Sequence, residues 1–144
     1  MAIGRRHAAE DARVGWVEYP KLGKGGVLME AFRTCADGDA ELIGFVDADG
    51  ATPPAELLRL VAVVDAGADG AIASRRHPTA VTPGDRSLIR RLTSAGFAFG
   101  IRRLFRVPFA DTQCGAKVLR AEVVRRVAPL LSSRDFLFDV DLLH

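Results

Sequence analysis

Short apolar runs alternate along this chain with longer stretches in which apolar residues recur every three or four positions. Leu42–Val46 is apolar on both faces and stops at Asp47-Ala48-Asp49-Gly50, the pattern of a buried parallel strand. Residues 69–74, centred on Ala71, Ile72 and Ala73, and residues 117–119 read as further strands, and residues 14–19 as another that Pro20 ends. Helical spacing begins at Gly23-Lys24-Gly25-Gly26, with Val27, Met29, Ala31 and Phe32 apolar to about Cys35. A second helix opens at Thr52 as cap and Pro53 as first residue, carries Leu57, Leu60, Val61 and Val64, and stops near Gly67. Residues 75–85 form a loop marked by Pro78, Pro83 and Gly84. A long helix is expected over about 86–105, a short one over 122–127, and a strand or helix entry over 136–140. Residues 1–13 are a polar lead-in, frayed or briefly helical. Strands alternating with helices predict an α/β domain over 14–144, its mostly parallel sheet covered by helices on both faces.

Composition narrows the class without changing it. With 144 residues, 49% hydrophobic and 26% charged, the chain is a single domain of ordinary α/β make-up. A net charge of +2 speaks against nucleic-acid binding, but the charge is uneven. From Arg75 to Arg106 there are eight arginines against one acid, Asp85. Such a field suits anionic substrates or lipid head groups, or is a solvated helical face. Cys35 and Cys114 have neither disulfide nor metal spacing, which fits a reducing, cytoplasmic setting. No apolar run reaches the roughly 18–20 residues of a spanning helix, and no hydrophobic region follows the first arginines. Membrane contact is therefore expected to be peripheral.

Several segments carry chemistry. Asp47 and Asp49 stand at i and i+2, where an extended chain sends both carboxylates to one side. Beyond the carboxyl end of a strand, that is where α/β sheets bind ligands, and a hard cation such as Mg2+ or Mn2+ would relieve the repulsion and hold a diphosphate. A turn before a helix is the alternative use of those acids. The glycines around Lys24 let helix amides approach an anion, though the spacing of a P-loop is absent and a simple turn is the alternative. Asp111-Thr112-Gln113-Cys114-Gly115 either lines a cleft or turns the chain, and Asp139-Val140-Asp141 repeats the two-carboxylate spacing, with a helix cap as the alternative for Asp139.

Taken in order, Gly-Lys-Gly-Gly, Asp-Ala-Asp-Gly, Ser74-Arg75, Asp-Thr-Gln-Cys-Gly and Phe-Asp-Val-Asp resemble the family 2 glycosyltransferases of GT-A fold. Within that family the chain is most similar to dolichyl-phosphate and polyprenyl-phosphate glucosyl- and mannosyltransferases, over about residues 14–144. The resemblance implies a divalent metal on Asp47 and Asp49, with phosphate contacts from Arg75, Arg90 and Ser94. It also implies a sugar and acceptor cleft lined by Asp111 and Gln113, and a donor site that includes Lys24 and Gly25. The partners implied are a nucleotide-sugar and a polyprenyl phosphate, at the cytoplasmic face of a membrane. Asp-Ala-Asp-Gly-Ala-Thr is closer to the glucosyl members, which favours UDP-glucose over GDP-mannose.

Relatives carry a Pro-x-x-Asn-Glu-type segment ahead of these motifs and continue past the last of them. The chain is therefore expected to be a domain without its first βαβ portion and tail, completed by an oligomer or a partner chain. The reaction implied is an inverting displacement, with Asp139 or Asp141 orienting the acceptor or accepting a proton. Two other readings stand beside it: a non-catalytic remnant of such an enzyme, and a family 2 enzyme acting on a soluble glycan.

Overall fold

The computed structural model describes residues 2–75, 100, 103–104, 108–109, 111–135 and 137–144. Helix α1 (Ala2–Glu10) is followed by α2 (Gly23–Ala36), strand β1 (Leu42–Val46), helix α3 (Pro54–Asp65) and strand β2 (Gly70–Ile72). Strand β3 (Ala116–Arg120) then leads directly into α4 (Ala121–Val127), and a single turn, α5 (Phe138–Asp141), lies near the end. The helix expected over 86–105, with Arg90 and Ser94, lies outside the described residues apart from 100 and 103–104, which are helical.

The sheet corrects the parallel arrangement expected from the buried runs. Its order is β1-β3-β2, and both described ladders are antiparallel, with Ile43 opposite Leu119 and Ala71 opposite Val118. The last strand in the chain is thus the central one, and β1 and β2 run the same way on either side of it. An apolar run signals burial on both faces but not strand direction. The expected strand at 14–19 does not form. Residues 14–20 have no strand partner among the described residues, and Val14, Trp16 and Val17 remain exposed.

Helices do cover both faces, as the pattern predicts. Alternation along β3 sends Ala116 and Val118 to one side, where Leu60 and Val64 of α3 pack with Leu57, Val61 and Ala71. Leu119 points to the other, with Ile43, Met29 and Phe32 of α2, Val124 of α4 and Phe138. Phe32, Phe45 and Phe138 form a tilted trio with centroids 5.8–6.2 Å apart, each pair adding roughly 0.5–1.5 kcal/mol beyond burial.

Two arginines fasten this frame at helix ends, where unpaired carbonyls and the dipole favour a cation. Arg120 donates from Nη2 to Val64 O (2.8 Å) and from Nε to Ala68 O (3.1 Å), closing α3. Arg125 donates to Ala36 O (2.8 Å) and Gly38 O (3.0 Å), closing α2. At its start, α3 is shifted by one residue from the expectation: Pro53 is the cap, Pro54 opens the helix, and Thr52 lies outside it.

Candidate functional site

Strand β1 delivers Asp47 to the edge of the sheet. The Asp47 N–H donates to Gly115 O at 2.7 Å, which fastens the loop 111–115 against the strand end. Gly115 has no room for a side chain: a Cβ there would fall onto the Asp47 carboxylate, 2.8 Å from Asp47 Cβ. The extended-chain rationale for Asp47 and Asp49 stops at Val46, where the strand ends. Asp49 is exposed in the following turn, and its Oδ1 accepts the Ala51 N–H at 2.9 Å. Gly50, at φ 72°, supplies the left-handed residue of that turn.

A row of alternating charges leads inward from Asp47. Lys24, in the first turn of α2, places Nζ 3.0 Å from Asp47 Oδ1 and 3.2 Å from Asp139 Oδ2. The other Asp139 oxygen, Oδ1, accepts from Lys117 Nζ at 2.6 Å, and Lys117 also donates to Cys114 O at 2.8 Å. The two ends differ in their access to water. Lys24 and Asp47 side chains are 37% and 36% exposed, Asp139 and Lys117 only 1% and 0%. The Phe45 ring lies 5.7 Å from Lys24 Nζ and 5.2 Å from Lys117 Nζ, so its face supports both ammonium groups.

These surroundings shift the two lysines in opposite directions. Burial pulls Lys117 below the usual lysine range, and the charge and hydrogen bond of Asp139 recover only part of that. Burial also pulls on Lys24, but Asp47 and Asp139 together outweigh it and raise the ammonium above its ordinary value. Nothing in the helix itself asks for a cation at Lys24. The N-terminal end of a helix repels one, the first turn of α2 has no acid, and Leu22 gives no side-chain cap.

The remaining expected residues divide in three. Arg75 and Asp111 meet in a paired contact, Nε to Oδ2 and Nη2 to Oδ1 both at 2.9 Å, with the Arg75 N–H adding a third bond at 3.1 Å. That pairing raises the Arg75 guanidinium further, against partial burial. Gln113 is half-buried in the same loop, and burial, followed by the Asp111 charge, pushes the Cys114 thiol up. Gly25 faces away from this cluster: a Cβ there would meet backbone atoms of Ser133, Arg134 and Asp135 at 2.7 Å, so its lack of a side chain serves packing. Asp141 is turned from Asp139 because both lie on one helical turn rather than on a strand. Its Oδ2 accepts the N–H groups of Ser132 (2.8 Å) and Ser133 (2.9 Å). Arg90 and Ser94 lie outside the described residues.

Beside Asp47 and Lys24 opens a cleft of about 450 Å3, with Tyr19, Pro20, Val27 and Phe45 among its walls. Its lining brings apolar and aromatic side chains together with the charges of Lys24 and Asp47, a mixture suited to a planar ring with an anionic tail. Among the described residues no three Asp, Glu, His or Cys side chains gather as a metal cage. Asp47 and Asp49 offer oxygen donors of the type Mg2+ takes, but one is paired with Lys24 and the other with a turn amide. Sequence reasoning missed Lys117, Phe45 and the contact of Gly115. Only Lys117 left a signal, a charge inside the apolar run of β3.

Comparison with known proteins converges on one family. The model described as Glycosyl transferase family 2 matches residues 2–128. Dolichyl-phosphate beta-glucosyltransferase of Dictyostelium discoideum is 30% identical over 127 residues, covering 85% of this chain and 38% of that protein. Polyprenol monophosphomannose synthase of Mycolicibacterium smegmatis is 30% identical over 126 residues, covering 85% and 46%. A dolichyl-phosphate beta-glucosyltransferase of Trichomonas vaginalis is 28% identical, covering 98% and 43%. The chain spans less than half the length of these relatives.

Proposed function

The chain belongs to glycosyl transferase family 2, and we propose that it acts in transfer of a hexose from a nucleotide-sugar to a polyprenyl or dolichyl phosphate. The observation that carries this is the placement of Asp47 and Lys24 together at the mouth of the cleft beyond the carboxyl end of β1. In this reading the sheet is the core of a GT-A arrangement, and the aromatic wall takes the base of the nucleotide. UDP-glucose is the favoured donor and GDP-mannose the second.

The reaction is a single displacement. An oxygen of the acceptor phosphate bonds to the anomeric carbon while the bond from that carbon to the donor diphosphate breaks, and the electron pair leaves on the diphosphate with inversion. Asp47 and Asp49 would hold Mg2+ or Mn2+, whose contribution when bound is to neutralise charge on the leaving group. Lys24, beside them at the positive end of α2, adds its own charge to the departing phosphate. Arg75, held by Asp111, is proposed to contact the acceptor phosphate, with Arg90, Ser94 and Gln113 as further candidates for that role.

A phosphate monoester has its second pKa at about 6, so the acceptor arrives largely ionised and needs little help from a base. Asp139, enclosed by two lysines, acts in this reading through Lys24 rather than on the acceptor. Asp141 holds the segment 132–133 in place.

Among the described residues no helix is long and apolar enough to cross a membrane, and the lipid acceptor is proposed to be met at a membrane surface. Arg102, Arg103 and Arg106 are proposed to hold that surface, at roughly 1 kcal/mol each. The chain should pellet with anionic but not neutral vesicles, and exchange of the three for Gln should release it. Calorimetry tests the donor site directly. UDP-glucose binding should depend on Mn2+ in the wild type and lose that dependence when Asp47 and Asp49 are both changed to Asn. Equal binding by the two proteins would overturn the metal role.

A further inference from the structure

The row Asp47, Lys24, Asp139, Lys117 has a property that its members lack singly. Asp139 is buried at 1% exposure and bonded to a lysine on each oxygen, at 2.6 Å to Lys117 and 3.2 Å to Lys24. A buried carboxylate whose sole partner withdraws is strongly unfavourable. With Lys117 alone it is still a neutral, hydrogen-bonded pair, so the longer and more exposed contact to Lys24 is the dispensable one. On the outer side Lys24 holds Asp47, which the water reaching that half-exposed carboxylate can replace.

We infer that Lys117 is a positioning residue: by satisfying Asp139 from within, it lets Lys24 pass from the two aspartates to the diphosphate of an incoming nucleotide. This rests on the reading of the cleft as a nucleoside-diphosphate site and goes beyond it in naming what sets its phosphate preference. Lys24 sits at the cleft wall, and its stem leaves α2 beside Gly23, whose φ of 73° turns the backbone there. Lys117 never touches the nucleotide. Without it, Asp139 claims Lys24 as its one remaining cation among the described residues, and the diphosphate loses that charge.

The test compares UDP with UMP, and GDP with GMP, by calorimetry in excess Mg2+, because only the second phosphate reports on Lys24. The wild type should prefer the diphosphate, and Lys24→Met should mark the floor of that preference. Lys117→Met should lower the preference about tenfold, the worth of one charge-assisted hydrogen bond. Removing the trap as well, in Lys117→Met with Asp139→Leu, should restore it to within about threefold of wild type, which leaves less than half of that loss in free energy. A merely structural role for Lys117 predicts no such rescue, since the double variant departs further from the native protein.

Melting curves accompany each titration. If Lys117→Met does not melt cooperatively, the double variant alone decides, because an apolar pair of similar volume is tolerated where a lone buried charge is not. A double variant with the preference of Lys24→Met overturns the proposal, as does an unchanged preference in folded Lys117→Met. A wild type that binds neither nucleotide overturns the nucleotide reading and this inference together, whereas a wild-type preference that Lys117→Met leaves intact overturns this inference alone.

Discussion

Asp47-Ala48-Asp49 and Asp139-Val140-Asp141 are the same pattern in one dimension and unlike objects in three. The first begins where β1 ends, so its carboxylates face solvent and a cleft, one held by an ammonium and the other by a turn amide. The second lies on a helical turn, which sends one carboxylate into the core and the other out to the 132–133 backbone. Spacing alone therefore carries little chemistry. The backbone beneath a pair decides whether its charges converge, and burial decides how much each charge depends on its partner.

The difference between the pairs can be broken by single substitutions. Asp139→Asn should cost about 3–5 kcal/mol in urea unfolding, because Lys117 is left as a buried cation without its counter-charge. A loss under 1 kcal/mol would mean that Lys117 is neutral in the folded protein and that the inner pair is no ion pair. Gly115→Ala is next: a methyl group directed at the Asp47 carboxylate should cost about 1–3 kcal/mol and weaken nucleotide binding more than any change within the turn 48–51. Unaltered nucleotide affinity in that variant would separate Asp47 from the donor site.

Asp141→Ala should cost about 1 kcal/mol at neutral pH, the value of its amide hydrogen bonds. Burial pushes this carboxyl up, but the Ser133 and Ser132 amides outweigh it and hold it below the usual range. A depressed folded value contributes stability above the unfolded pKa of about 4 and loses it as pH falls through the lower folded value. The deficit of the variant should accordingly shrink toward zero below about pH 4, and one that persists in acid would assign the loss to packing. Smallest of all, Asp49→Ala should fall within about 0.5 kcal/mol of wild type in stability, since its turn bond is exposed. If Asp49→Ala and Asp139→Asn destabilise equally, the contrast between the pairs is lost.

Much of the frame was legible because local patterns encode it. Met29 and Phe32, Leu60 and Val64, and the run Leu42–Val46 are periodic over a few residues, and each is buried or paired as its period requires. What escaped depends on distant partners. No local feature says that Lys117 meets Asp139, 22 residues on, and the apolar neighbours that mark β3 conceal the one buried charge within it. Strand direction escaped for the same reason, since β1 finds its partner some 70 residues on in the chain, Leu42 opposite Arg120 at one end and Val46 opposite Ala116 at the other. The expected strand at 14–19 had suitable residues and no neighbour to pair with among the described residues. Asp47 and Lys24 were legible singly, but their meeting became visible only when α2 and β1 were set side by side.

One consequence of the sheet order concerns time rather than space. Because β3 is the central strand and the last to be made, neither β1 nor β2 has its described partner until residues 116–120 exist. At a synthesis rate of roughly 5–20 residues per second, the stretch from residue 72 to 116 delays that moment by about 2–9 s. During that interval the edge of β1 that β3 will occupy is open to any chaperone or neighbouring chain that reaches it first. When Ala116–Arg120 arrives, both ladders become possible at once, and the arginine that ends β3 can reach the carbonyls of α3 in the same event. Assembly is thus keyed to a single late segment, and a substitution that slows its entry would be read as lost yield before it was read as lost stability.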